Sequence, residues 1–349
     1  MKDNFFDSKA IEYSEICQNK DWWKKLTDSE KERYVNKTFG YYRKYGFPYF
    51  PTSKEFRKRE FIKLMQFSDK KLIQGKKIQQ TMHGLSLAWS YMPHSWDVVC
   101  NNKKTPLDVF NDDVEFKKVI KKRMTMGDNI SDNGIRKMLK LYTGVQSVSN
   151  FRPTAASALY SHFCNSGDTV LDPSCGFGGR LLGAIKAGVN YIGYDPCVST
   201  FEGLQEIKKD FGDTISVKLV NKGSEFIQES NVDFCFTSPP YFDTEKYSNE
   251  DTQSYLKFPT YNDWLIGFIQ ETYKKVFKAL KENKYCAVNI ANTKKYPNLV
   301  NDVKREICST GFEYWDSYSL LLSNPTMNNK QTAYKEEPIL IFKKLSKGT

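Results

Sequence analysis

Residues 168–188 read DTVLDPSCGFGGRLLGAIKAG, and their reading decides the fold. DTVLDP (168–173) is a short apolar run with the length of a buried strand, and it stops at Asp-Pro. A glycine-rich turn follows, and RLLGAIKAG (180–188) then shows helical spacing with a glycine stop. Strand, glycine turn and helix in that order begin a βαβ unit.

The same alternation continues toward the C-terminus. YIGYDP (191–196) reads as a second strand, FEGLQEIKKDF (201–211) as a helix, ISVKLV (215–220) as a third strand and VDFCF (232–236) as a fourth. A long amphipathic helix over 263–283 precedes the strand YCAVNIA (285–291), and NLVNDVKREICSTG (298–311) is a further helix. FEYWDSYSLLL (312–322) and PILIFKK (338–344) are two consecutive strands joined by a polar connection, which predicts an antiparallel pair at a sheet edge. The fold class is α/β, with a doubly wound and mostly parallel sheet.

Upstream the pattern changes. DSEKERYVNKTFGYY, SKEFRKREFIKLMQFSDKKLI and FKKVIKKRMTMG read as helices, DSEK beginning like an N-cap, and few strands are evident. Two domains are expected, a mainly helical region over 1–145 and the α/β domain over 146–349. Charge divides the chain in a similar place. Residues 1–150 hold 29 Lys/Arg against 18 Asp/Glu, whereas 151–349 hold 23 of each, so the whole net charge of +11 lies in the first part. A basic region joined to a neutral one predicts that the first handles a polyanion. GYYRKYGFPYFP (40–51) and FRKRE (56–60) interleave aromatics with cations, which makes Arg43, Lys44, Arg57, Lys58 and Arg59 candidate nucleic-acid contacts. An aromatic cluster at a domain junction fits these stretches equally well.

Composition excludes several classes. Eight cysteines are scattered without a CxxC pair, and three histidines share no ligand spacing, so neither a zinc site nor a disulfide framework is expected. The N-terminal residues MKDNFFDSKAIEYSEI lack a signal-peptide core, and no apolar run approaches a membrane span. The expected location is the cytoplasm.

Chemistry enters at the turn Leu171-Asp172-Pro173-Ser174-Cys175-Gly176-Phe177-Gly178-Gly179-Arg180. Glycines there let a ligand approach the backbone at the carboxyl ends of the strands. Neither G-x-G-x-x-G nor Gly-Lys-Ser/Thr is present, which argues against a dinucleotide or a nucleoside triphosphate. A carboxylate at Asp172 opposes a pyrophosphate and suits a cationic ligand such as S-adenosylmethionine. Asp195, at the end of the second strand, stands where an acid receives ribose hydroxyls.

The fourth strand ends in TSPPYF (237–242), where two prolines stiffen the backbone. DPSCGFGG followed by TSPPY resembles the S-adenosylmethionine-dependent DNA amino-methyltransferase family, the enzymes that methylate cytosine N4 or adenine N6. The resemblance covers roughly residues 145–345, and it implies a class I methyltransferase with a seven-stranded, Rossmann-like sheet. It also implies that Phe151 of NFRP, Asp172, Pro173, Gly176, Gly178, Asp195, Ser224 and Thr237 hold the cofactor. An acid is usual after the third strand, where this chain has Lys-Gly-Ser-Glu (222–225), leaving Ser224 or Glu225 as its substitute. By the same resemblance Ser238 and the Pro239 carbonyl accept the two amine N–H groups, Pro240 belongs to the stiff frame and Tyr241 stacks on a base flipped out of the duplex. Phe242 either supports Tyr241 or fills core.

Ser at the first motif position favours cytosine N4, with adenine N6 next and structured RNA third. A catalytically silent DNA-binding protein is the reading from another class. The two motifs stand about 65 residues apart, which leaves no room for an inserted recognition domain. Recognition of double-stranded DNA therefore falls to the basic region, and the Tyr-rich loop 243–262 is expected to close over the flipped base.

Overall fold

The computed structural model describes residues 21–127, 130–322 and 336–346. The N-terminal residues 1–20 and most of the polar connection before the last strand lie outside the described residues. The chain divides into two compact units, Pro51–Met92 with the residues from Ser149 onward, and the residues up to Phe50 with Pro93–Val148. A single boundary near 145 is therefore corrected: residues 51–92 belong to the α/β unit. Long-range pairing explains the allegiance, because Lys77–Ile78 hydrogen-bonds along a strand of the main sheet and Asp69 accepts from the Ser157 hydroxyl at 2.6 Å. Residues 51–92 carry nine Lys/Arg against three Asp/Glu, so the most basic segment of the chain lies in the α/β unit.

In that unit the main strands are β1 (Thr169–Asp172), β2 (Asn190–Tyr194), β3 (Val217–Val220), β4 (Val232–Thr237), β5 (Leu280–Asn289), β6 (Glu313–Leu321) and β7 (Glu336–Lys343). The helices used below are α1 (Lys54–Gln66), α2 (Pro153–Phe163), α3 (Gly179–Ala187), α4 (Val198–Phe211), α5 (Glu271–Ala279) and α6 (Leu299–Ser309). Strand order runs β3-β2-β1-β4-β5-β7-β6, and a two-residue hairpin, Ile73–Gln74 with Lys77–Ile78, extends the sheet beyond β6 to nine strands. β1 to β5 pair in parallel, and β7 is antiparallel to both β5 and β6. The last two strands are an antiparallel pair as expected, but they do not form the edge. β7 inserts between β5 and β6, and the hairpin covers β6.

β4 is buried along its whole length, as a central parallel strand must be. Phe234 and Phe236 have no exposed surface, and each contributes roughly 2–3 kcal/mol of apolar burial. The helix expected over 263–283 ends at Ala279, and β5 begins at Leu280. Its first part, Leu265–Gln270, is wound as a π-helix, a form common at functional sites. Strand order reverses at β1: β2 and β3 lie on one side and β4 on the other, which opens a crevice at the carboxyl ends of β1 and β4.

The other unit is helical, with Asp28–Tyr45, Asp113–Thr125 and Asp132–Lys140 around Tyr42, Phe116, Val119, Ile120 and Leu139. The helix Asp28–Tyr45 is capped by Thr27, one residue before DSEK, in a capping box with Glu30. Tyr41, Tyr42 and Phe47 of GYYRKYGFPYFP are buried there and pack in this core, whereas Tyr49 is exposed.

Candidate active site

Glycine geometry shapes the cofactor turn. Gly176 and Gly178 take φ values of +57° and +79°, a region most side chains avoid. A Cβ at Gly178 would stand 2.5 Å from Ile207 of α4, whereas one at Gly176 meets nothing closer than Arg180 at 4.0 Å. The space before Gly176 is open. Gly179 packs against the segment NFRP: a Cβ there would lie 1.9 Å from the Phe151 carbonyl oxygen. The Asn150 amide donates to the Phe177 carbonyl at 2.9 Å, and the Phe151 ring meets Phe236 edge-on with centroids 5.0 Å apart. Phe151 thus stands against the glycine turn at Gly179.

The two acids differ from expectation and from each other. Asp172 is fully buried, and its Oδ2 accepts from Arg180 Nε at 2.7 Å and from the Tyr191 hydroxyl at 2.6 Å. Its charge is matched inside the protein by Arg180, at the base of the turn. Asp195 accepts from the backbone N–H of Gly176 at 2.9 Å and of Cys197 at 3.1 Å. Burial pushes its carboxyl up to about 7, against those two donors, which favour the anion. It carries no side-chain counter-ion in these contacts and stands at the end of β2, next to the open space.

Ser224 lies after β3, but it is 1% exposed and its hydroxyl is 2.7 Å from the Thr272 hydroxyl of α5. Glu225 is ion-paired to Lys257. Both substitutes for the acid after β3 therefore have partners already.

The catalytic motif sits across the crevice. Ser174 N–H donates to Thr237 Oγ1 at 3.2 Å, which ties the cofactor turn to the residue before Ser238. Pro239 is buried, and Ser238, Pro240 and Tyr241 are half-buried. The Ser238 side chain and the Ala291 backbone lie near the Tyr241 hydroxyl. Burial, with the carboxylates of Glu337 and Glu245 nearby, pushes its titration upward. Glu245, hydrogen-bonded to the Tyr247 hydroxyl, is itself raised by burial. Phe242 adopts φ +54° and packs against Tyr261, Trp264 and Tyr296 at 5.6–5.8 Å between centroids, so it fills core. That left-handed residue turns the chain sharply after Tyr241.

Loop 243–262 lies across both motifs. The Tyr247 ring meets Phe177 of the turn at 5.9 Å, both Glu250 oxygens accept from Val198 N–H at 3.2 Å, and Thr252 Oγ1 donates to the Pro196 carbonyl at 3.4 Å. Of the basic candidates, Arg43 bonds to Asp113 and to the Phe110 carbonyl, and Arg57 to Ser90, with Asp210 3.6 Å away. Lys44, Lys58 and Arg59 are exposed. Sequence reading missed Arg180, Tyr191, Asn150 and Glu245. Arg180 was visible at the end of the quoted turn, but nothing local marked its partner.

Among the described residues no group of three or more His, Cys, Asp or Glu side chains is placed to hold a metal, and no helix is long and apolar enough to cross a membrane.

A core sheet in this order, with one antiparallel strand inserted next to the last, a glycine turn after β1 and an acid after β2, defines a class I S-adenosylmethionine-dependent methyltransferase. The residues present suit that cofactor: open space before Gly176, a buried acceptor at Asp195 and Phe151 beside the turn. Residues 232–348, about a third of the chain, match the family model for DNA methylases of the N6/N4 type. The chain is also similar to the tRNA (guanine(10)-N2)-dimethyltransferase of Methanothermobacter thermautotrophicus, with 34% identity over 76 residues, 22% of this chain and 23% of that protein. The chain thus covers less than a quarter of that relative's length. Among solved structures it is similar to a TehB-like SAM-dependent methyltransferase from Corynebacterium glutamicum, at 15% identity over 56% of this chain and 89% of that one, with a TM-score of 0.37. It is likewise similar to a SAM-dependent O-methyltransferase from Thermotoga maritima, at 16% identity over 58% and 69%, with a TM-score of 0.39.

Proposed function

We propose that this protein is a site-specific DNA methyltransferase that moves a methyl group from S-adenosylmethionine to the exocyclic amine of a flipped base, cytosine N4 in preference to adenine N6. The observation that carries the reading is the bond from Ser174 N–H to Thr237 Oγ1, which holds Ser238 beside the cofactor turn. When bound, the cofactor supplies an electrophilic methyl group on sulfonium. The chain's own task is to orient a weak nucleophile, since the amine lone pair is delocalised into the base ring.

Ser238 Oγ and the Pro239 carbonyl each accept one amine N–H, which draws the nitrogen toward tetrahedral geometry. Tyr241, with its hydroxyl near Ser238 and Ala291, supports the flipped base. Asp195 receives the ribose hydroxyls. Phosphate contacts fall to Lys58 and Arg59 of the basic segment 51–92, with Lys44 in the helical unit. A cytoplasmic enzyme acting on duplex DNA, with or without a restriction partner, fits these roles.

A second reading has one specific observation behind it. The matching relative is named for a tRNA guanine amine, so structured RNA is the alternative substrate. One experiment separates the readings: protein and methyl-labelled cofactor are incubated with duplex DNA or with tRNA, and digested nucleosides are resolved by mass spectrometry. N4-methylcytosine in the DNA arm, with transfer nearly abolished by Ser238→Ala, is the expected result. Label confined to tRNA would move the substrate to RNA, and full activity in Ser238→Ala would remove the amine-positioning role.

A further inference from the structure

Three observations leave the nucleoside end of the cofactor site short of a polar partner and supply one from elsewhere in the chain. The residues after β3 that stand nearest the expected position are committed, Ser224 to Thr272 and Glu225 to Lys257. The loop after the catalytic motif is fastened to the two residues that frame the exit from Asp195. Glu250 accepts from Val198 N–H, and Thr252 donates to the Pro196 carbonyl. The next residue, Gln253, is only 4% exposed, and its side-chain nitrogen has no hydrogen-bond partner among the described residues.

A buried amide donor left unmatched costs about 1–3 kcal/mol, so its persistence calls for an acceptor that arrives with a ligand. Adenine ring nitrogens and ribose oxygens are such acceptors. We propose that residues 250–253 form a clasp over the nucleoside end of the cofactor and that the Gln253 amide donates to it. The clasp rests on the reading of Gly176 and Asp195 as the cofactor site. It gives a physical reason for the position of the loop: one segment leaves the base-holding motif, crosses Phe177 through Tyr247 and closes on the cofactor. Occupancy of the cofactor site and order at the base pocket are thereby linked through a single stretch of chain.

The test is calorimetric titration of the full-length protein with S-adenosylhomocysteine, the demethylated cofactor, in wild type, Gln253→Ala and Gln253→Met. Methionine keeps the length and the packing but lacks the donor. Both variants are expected to bind about tenfold more weakly or worse, a loss of about 1.4 kcal/mol. The ligand-free melting temperature of Gln253→Met should equal or exceed that of wild type, because an unmatched donor has been replaced by an apolar group. Wild-type affinity in Gln253→Met would overturn the proposal. A lower ligand-free melting temperature in that variant would overturn it as well, since that is the mark of an amide with a structural partner. If wild type itself did not bind S-adenosylhomocysteine, the cofactor reading would fall first and the clasp with it.

Discussion

Arg180 Nε lies 2.7 Å from Asp172 Oδ2, with the aspartate fully buried and the arginine 5% exposed. The pair closes the base of the glycine turn: the carboxylate also takes the Tyr191 hydroxyl, and the guanidinium also bonds to the Ser174 carbonyl. A buried pair of this kind holds shape more than it adds net stability, because desolvation offsets most of the attraction.

Arg180→Met leaves a buried carboxylate without its cation and is expected to cost about 3–5 kcal/mol. Asp172→Asn together with Arg180→Met removes both charges and should recover most of that loss. Urea unfolding of the two variants checks the ordering, and equal losses in both would show that Asp172 and Arg180 are not coupled.

The turn glycines separate a packing role from a ligand role. Gly179→Ala drives a methyl into the Phe151 carbonyl, where the contact would be 1.9 Å, so the melting temperature should drop sharply. Gly176→Ala strains a left-handed residue by roughly 1–2 kcal/mol but projects into open space. That variant should fold and bind S-adenosylhomocysteine about tenfold or more weakly, as read by paired melting and calorimetry.

Asp195 sets a pH dependence whose sign can be worked out. Its native carboxyl is raised to about 7 from the ordinary aspartate value of 3.8, so the ligand-free fold binds more protons than the unfolded chain in that interval. Its contribution to stability is therefore full below the unfolded pKa and declines as pH rises through about 7. A ribose hydroxyl needs the anion as acceptor, so affinity for S-adenosylhomocysteine should rise over the same range. Calorimetry from about pH 6 to 8 on wild type and Asp195→Asn tests this: the variant should bind weakly with a flat profile, and an unchanged slope would assign the titration to another group.

The basic candidates divide by what they already touch. Arg43 and Arg57 are bound within the protein, and Arg57 stacks on the Tyr91 ring at 3.6 Å, so their alanine variants should lower stability with little change in the salt slope of DNA binding. Lys58→Ala with Arg59→Ala should weaken binding to any duplex and reduce the slope of log affinity against log salt by about two. Fluorescence anisotropy at several salt concentrations reads both effects. A slope unchanged in the double variant would move the phosphate contacts elsewhere.

Order along the chain was legible without coordinates: strand, glycine turn, helix and the Ser-Pro-Pro-Tyr stop all appear where 168–188 and 237–242 predicted them. These signals are local. Apolar periodicity marks each strand and helix, glycine alone tolerates the φ values at 176 and 178, and proline ends β4 because it gives no N–H to a ladder. The motifs by themselves thus determined the class of site and its two halves.

What the tertiary structure decided was which residues meet. Helical periodicity along the chain assigned 51–92 to the helical region, yet strand pairing with β6 places that segment in the α/β unit. Spacing left Asp172 and Ser224 open to a ligand, yet Arg180, Tyr191 and Thr272 reach them in the fold. β7 read as an edge strand and lies inside the sheet. In each case the deciding contact joins groups whose meeting depends on the closing of the whole sheet, and no local propensity encodes it.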